Sequence, residues 1–213
     1  MVKIIDNSEL EVTKLSNKIK FSIKKNKFGS FYEKIKNILS VKTNQFTINA
    51  RNFIGLNDLI ETNNFLYKHA DVLFQTLFLQ IKDLEKNNLG VLYLNLSDVY
   101  FIDVNDNNFY FLLLKTNKIR PIKNKMIELS QPIKKKDGFF FSPELKNQKT
   151  FPSQISLKSV YYSLAMITIH SLKKIKGKLN LHTHIESLVG TPLYWALERC
   201  LMDDPENRTL LYI

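Results

Sequence analysis

His182 and His184, two residues apart, are the nearest approach in this chain to a metal-ligand motif. A structural zinc site wants four ligands at known spacings. No cysteine lies near this pair, so both histidines are expected to be surface or partly packed. The one thiol, Cys200, falls beside Leu197 and Leu201 on the apolar side of a helical pattern. A cysteine so placed is expected to be a small buried hydrophobe rather than a nucleophile. Lys134-Lys135-Lys136 precede Phe139-Phe140-Phe141. A basic run beside aromatics is one way to hold nucleic acid or to dock a partner. The plainer expectation is solvated lysines and phenylalanines that anchor the segment. A Ser-His-Asp triad is defined by geometry, and sequence order does not assemble one.

These residues must be positioned by the elements around them. The run Lys18-Ile19-Lys20-Phe21-Ser22-Ile23 alternates polar and apolar, as a half-buried strand does. Residues 24–29 read as a turn, and a short basic helix is expected around Phe31–Ile38. Over residues 64–87, Ala70, Leu73, Phe74, Leu77, Phe78, Ile81 and Leu84 carry the spacing of one buried helical face. Asn87-Asn88-Leu89-Gly90 should end that helix, with Gly90 as its left-handed cap. Val99–Val104 and Phe109–Leu114 flank Asn105-Asp106-Asn107-Asn108 and predict a hairpin. Residues 115–155, with Pro121, Pro132, Pro143 and Pro152, read as irregular. Helical spacing returns over Leu157–Leu172 and Pro192–Met202, and Pro205 suits the first turn of a final short helix.

Composition narrows the function classes. The chain has 213 residues, 44% hydrophobic and 24% charged, which suits one core or two small lobes. A single cysteine rules out an internal disulfide framework and fits a reducing compartment. The opening MVKIIDNSELEV lacks the apolar centre of a signal peptide. Apolar runs fall short of the roughly 20 residues that span a bilayer. An intracellular, cytoplasmic protein without a membrane span is expected, in the host cytoplasm if the source is viral. Lys and Arg number 31 against 20 Asp and Glu, a net charge of +11 that invites a polyanion such as nucleic acid. The abundance of Lys, Asn, Ile and Phe is also what AT-rich coding DNA produces, with no dedicated ligand.

Four strings, in order, carry a resemblance. Gly90-Val91-Leu92-Tyr93-Leu94-Asn95-Leu96 follows the long amphipathic helix. Phe141-Ser142-Pro143-Glu144-Leu145 resembles an A-P-E motif. Leu157 to Met166, LKSVYYSLAM, resembles a helix beginning K-S-D-V-Y-S-L-G. Leu197 to Arg208, LERCLMDDPENR, resembles a string ending L-x-x-D-P-x-x-R. Together they resemble the C-terminal lobe of a protein kinase over residues 56–213. The resemblance implies an α+β, protein-kinase-like fold. Residues 1–55 would form a reduced β-containing N-terminal lobe and residues 56–213 a mainly helical C-terminal lobe. It also implies an ion pair between Glu144 and Arg208, anchoring an irregular segment to helices.

The same alignment places poor chemistry at the catalytic positions. Phosphoryl transfer needs a base for the hydroxyl proton and carboxylates for magnesium. Tyr93, Leu94 and Asn95 stand where H-R-D belongs, so Asn95 replaces the base, and an amide takes no proton at neutral pH. Ser97 stands at the lysine position, and Tyr100, a poor magnesium ligand, at the metal-binding asparagine. Leu113-Leu114-Lys115 stand at D-F-G, and Val160 at the helix aspartate. No Gly-rich loop precedes them, Gly29 being the lone glycine there, and only position nominates Lys18, Lys20 or Lys36 as the nucleotide lysine. Leu113, Leu114 and Tyr100 would fill the nucleotide cleft.

The resulting expectation is a catalytically inactive kinase-like scaffold. It would bind another protein, such as an active kinase or its substrate, with no cofactor or metal. An alternative is a divergent kinase that transfers phosphate from ATP to protein Ser/Thr. It would use ATP and Mg, with Asp98, Asp103 and Asp106 as metal ligands. A third reading is a basic nucleic-acid-binding protein.

Overall fold

The computed structural model describes residues 2–7, 9–24, 29–62, 65–105, 108–133, 139–175 and 181–209. β1 (Val2–Asp6), β2 (Leu10–Leu15), β3 (Lys18–Ile23) and β4 (Gln45–Asn49) form an antiparallel sheet in that order. In β3, Ile19, Phe21 and Ile23 point inward while Lys18 and Lys20 stay exposed. That is the period-2 division a one-sided sheet requires. α1 (Gly29–Ile38) crosses between β3 and β4 and buries Tyr32 and Ile35. Phe21 stacks on Phe46 at 4.9 Å and meets Phe53 edge-on at 5.9 Å, joining this sheet to the rest of the molecule.

β5 (Asn52–Gly55) leads into α2 (Leu56–Glu61) and α3 (Tyr67–Lys86). The division expected at residues 55/56 therefore falls between β5 and α2. β5 itself pairs with β7 (Val99–Asn105), which forms a hairpin with β8 (Asn108–Leu113). α3 buries Ala70, Leu73, Phe74, Leu77, Ile81 and Leu84. It also buries Gln80, whose amide donates to the Phe111 carbonyl (2.9 Å) and accepts from the Leu113 N–H (3.0 Å). One buried amide so satisfied fixes the end of β8 against α3. The helix does not stop on Gly90. Asn88 takes the left-handed conformation (φ 55°), and Gly90 lies in β6 (Leu89–Val91). Its missing side chain admits Ile127, whose Cδ1 would come within 2.6 Å of a β-carbon there.

The expectation of an irregular 115–155 is corrected. This region contains β9 (Ile119–Lys123), β10 (Met126–Leu129) and α4 (Pro143–Lys146), and β11 (Ser153–Ser156) begins within it. The strands join β6 in a second antiparallel sheet, ordered β11-β10-β9-β6. Asn124 and Lys125 both have positive φ (51° and 61°), as the two-residue turn of a tight hairpin demands. Ile127, Leu129 and Ile155 point into a small second core with Leu92, Tyr93, Phe141 and Leu145.

α5 (Ser159–Lys173) is buried almost all round, as a central helix must be. It packs against α3 and α7 (Pro192–Cys200), and Glu85 on α3 accepts a 2.5 Å bond from the Tyr161 hydroxyl. α6 (Leu181–Ile185) lies between α5 and α7 in sequence. Thr191 caps α7 by accepting the Tyr194 N–H, and Pro192 occupies its first turn. The final short helix is a single 3-10 turn at Pro205–Asn207. The architecture is α+β, with an antiparallel sheet at the N-terminal end and the long helices beyond it. Among the described residues no helix is long and apolar enough to cross a membrane.

Candidate functional site

The loop between β6 and β7 carries the positions that the resemblance singles out. Asn95 begins a 3-10 turn, Leu96–Asp98, and its side-chain oxygen accepts the Leu96 N–H. Asp98 folds back to accept the Asn95 N–H at 2.8 Å and pairs with the Lys118 ammonium. Asp98 is only 2% exposed. Lys118 sits 4.2 Å above the Tyr93 ring, so a cation–π contact completes its surroundings. Burial pushes the Asp98 carboxyl above the usual carboxylate range, while Lys118 pulls the other way. The single carboxylate of residues 92–98 is thus consumed inside the fold and not presented to a substrate. Ser97 is exposed.

Beside this loop lies a cleft of about 560 Å³ between the β1–β2 turn and the start of the β8–β9 connection. Tyr100 lines it, half-buried and stacked on Phe53 at 5.5 Å. Burial, then the Asp58 and Asp98 carboxylates, push its phenol up. Glu9 crosses the cleft: one carboxylate oxygen accepts from Thr116 (2.8 Å) and from Tyr32 on α1 (3.2 Å). Asp6 is held by Lys3 and Lys24. Lys115 and Arg120 complete the opposite wall. Of the three residues expected to fill a nucleotide cleft, Leu113 and Leu114 are not on this surface. They are 1% and 0% exposed and belong to the main core, where the end of β8 is covered on both faces. Tyr100 alone of the three lines the cleft, which stays open.

A third set of contacts fixes the segment leading into α5. Phe140 and Phe141 are buried anchors. The Ser142 and Ser159 hydroxyls meet at 2.7 Å, and Ser163 donates to the Phe140 carbonyl. Arg208, fully buried, grips both Glu144 oxygens at 2.6 and 2.9 Å. Val160 faces the main core.

The remaining candidates are placed elsewhere. Asp103 lies five residues along β7 from Asp98, about 16 Å at strand rise, too far for one ion. Asp106 and Lys134–Lys136 lie outside the described residues. So does the side chain of His182; His184 meets the Thr183 hydroxyl at 3.4 Å. No cluster of three or more His, Cys, Asp or Glu residues forms among the described residues. Cys200 is buried, and burial pushes its thiol up, away from nucleophilic use. Lys18 and Lys20 face solvent, while Lys36 is buried against Glu33 (2.6 Å) and Asn44 (3.1 Å).

Sequence reasoning missed Lys118, Glu9, Tyr32 and Thr116. Nothing local marks them, because each acts on a partner distant in the chain. No family model matches the chain, and a search of curated proteins finds no match.

Proposed function

We propose that this chain is a degenerate kinase-like protein that binds another protein and does not transfer phosphate. One observation carries the reading: the loop where a kinase would hold its base has Asn95 at that position, and its only acid, Asp98, is locked onto Lys118. A base must reach a substrate proton, and magnesium must find open carboxylates. Leu113-Leu114-Lys115 likewise offers no carboxylate after the hairpin. The element order supports the kinase-like part of the reading: a small sheet with one helix, a long helix, a hairpin, an anchored segment, then a buried central helix. The Glu144–Arg208 grip on that segment also supports it. With chemistry gone, what remains is a shaped surface, and the partner is a protein such as an active kinase or its substrate, met in the cytoplasm.

The reading is tested by incubating the protein with γ-labelled ATP and magnesium, alone and with a basic protein substrate. No label should appear on either. Transfer that disappears in Asp98→Ala or Asp103→Ala would overturn it in favour of a divergent active kinase.

A further inference from the structure

A groove of about 410 Å³ opens between the end of β10 and α4, over the second core. Leu129, Ile133, Phe141 and Phe151 line it, and Ile133 and Phe151 are only half-buried. Lys146 stands at its edge on α4. No carboxylate pairs with this lysine among the described residues, since its neighbour Glu144 is taken by Arg208. Lys146 is exposed overall, and partial desolvation lowers its ammonium from its usual range. A carboxylate brought to it would relieve that cost. The groove continues into a polar cleft of about 300 Å³ that shares Leu129, Pro132 and Ile133 with it. Arg120 lines that end and spends only one guanidinium nitrogen, donating to the Asn117 and Ile119 carbonyls. Glu128 is the carboxylate on this stretch, and Ser130 donates to it.

We infer that this groove takes an extended acidic segment of a partner protein, with an apolar side chain seated among Ile133, Phe141 and Phe151 and a carboxylate at Lys146. The inference rests on the reading of the chain as a protein-binding module and names its surface. The apolar floor supplies affinity and the Lys146 cation supplies selection, the division of labour found at protein interfaces.

The test uses fluorescein-labelled nonapeptides and the full chain, read by fluorescence anisotropy. One peptide carries a central phenylalanine flanked by glutamates, a second replaces the phenylalanine with alanine, and a third replaces the glutamates with lysines. The first should bind, and the second should bind at least about tenfold more weakly, because burial of the ring is lost. Lys146 is exposed, so Lys146→Glu should fold and melt like the parent. It should weaken the acidic peptide about tenfold and strengthen the lysine peptide. No binding of the first peptide would overturn the inference. So would equal binding of the first two, which reports only attraction to a net charge of +11, or an unchanged affinity in Lys146→Glu. Phosphate transfer in the separate labelling assay would remove the non-catalytic reading and leave these peptide results standing.

Discussion

Arg208 donates to both oxygens of Glu144 across 64 residues of sequence, and it does so from complete burial. Its remaining N–H groups go to the carbonyls of Met202, Asp203 and Lys158, and its plane lies 5.4 Å from the Tyr162 ring. No donor of the fork is wasted, which is the condition for keeping an arginine in an interior. The pair fastens α4 and the segment before it to the turn that follows α7.

Removing either partner strands the other. Glu144→Ala and Arg208→Ala should each cost about 3–5 kcal/mol, which for a chain of this size lowers the melting temperature by roughly 10 °C. Arg208→Lys should rescue little, since an ammonium cannot make the bidentate contact. Thermal melts of the three variants and of the double alanine variant check this. The double variant should lose less than the sum of the singles.

Lys118 holds down a carboxyl that burial pushes up, so Lys118→Met has a pH signature. A carboxyl raised above its unfolded value contributes stability that is present in acid and is lost as pH rises through the folded value. Without Lys118 the Asp98 value climbs further. The variant should therefore lose more stability than the parent as pH rises from about 4, the unfolded carboxyl value, toward neutrality. Melting temperatures across that range for both proteins measure the difference.

Glu9 ties the β1–β2 turn to Thr116 and to Tyr32 on α1. Glu9→Gln or Thr116→Val weakens a charge-assisted bond and should cost roughly 1–3 kcal/mol. The loss should concentrate in faster amide exchange of β1, β2 and α1, with α5 unaffected. Uniform acceleration over the whole chain would contradict the assignment of Glu9 to this junction.

His170 on α5 packs edge-on against Phe139 (5.5 Å) and Phe140 (5.6 Å), and its Nδ1 is buried without a partner among the described residues. Burial lowers its pKa, against the pull of a bond to the Ile175 backbone. The unfolded chain therefore takes the proton first. Stability is full above the unfolded value of about 6.5 and falls below it until the folded histidine also protonates. His170→Gln should remove that part of the acid loss in urea titrations repeated at several pH values.

The long elements were legible because their periodicity is sustained. α3, α5 and the β7–β8 hairpin each show several repeats of one period before a clear stop. β10 and β11 have four residues each, and β9 has five with Pro121 inside it, so too few repeats exist to outweigh the prolines and lysines around them. Gly90 misleads as a cap because its small size serves contact with Ile127 rather than a left-handed turn. Leu113 and Leu114 read as buried apolar residues from sequence, and both lie in the main core. Of the site, Asn95, Ser97 and Tyr100 could be named from sequence, but the lock on Asp98 could not. Lys118 lies 20 residues away from Asp98, and Thr116 lies 107 from Glu9, so only tertiary packing pairs them. The Glu144–Arg208 contact is reachable from sequence through the resemblance alone.

The most direct test of the non-catalytic reading is the melting temperature of the purified protein with ATP, with and without magnesium. A ligand at about 100 times its dissociation constant adds about 2.7 kcal/mol, a rise of several degrees for a chain of this size. With Asp98 locked to Lys118 and no carboxylate after the hairpin, magnesium should change nothing, whether or not ATP alone shifts the melt. A rise of several degrees that requires magnesium would contradict the account, because it would mean that carboxylates are open to a metal–nucleotide complex.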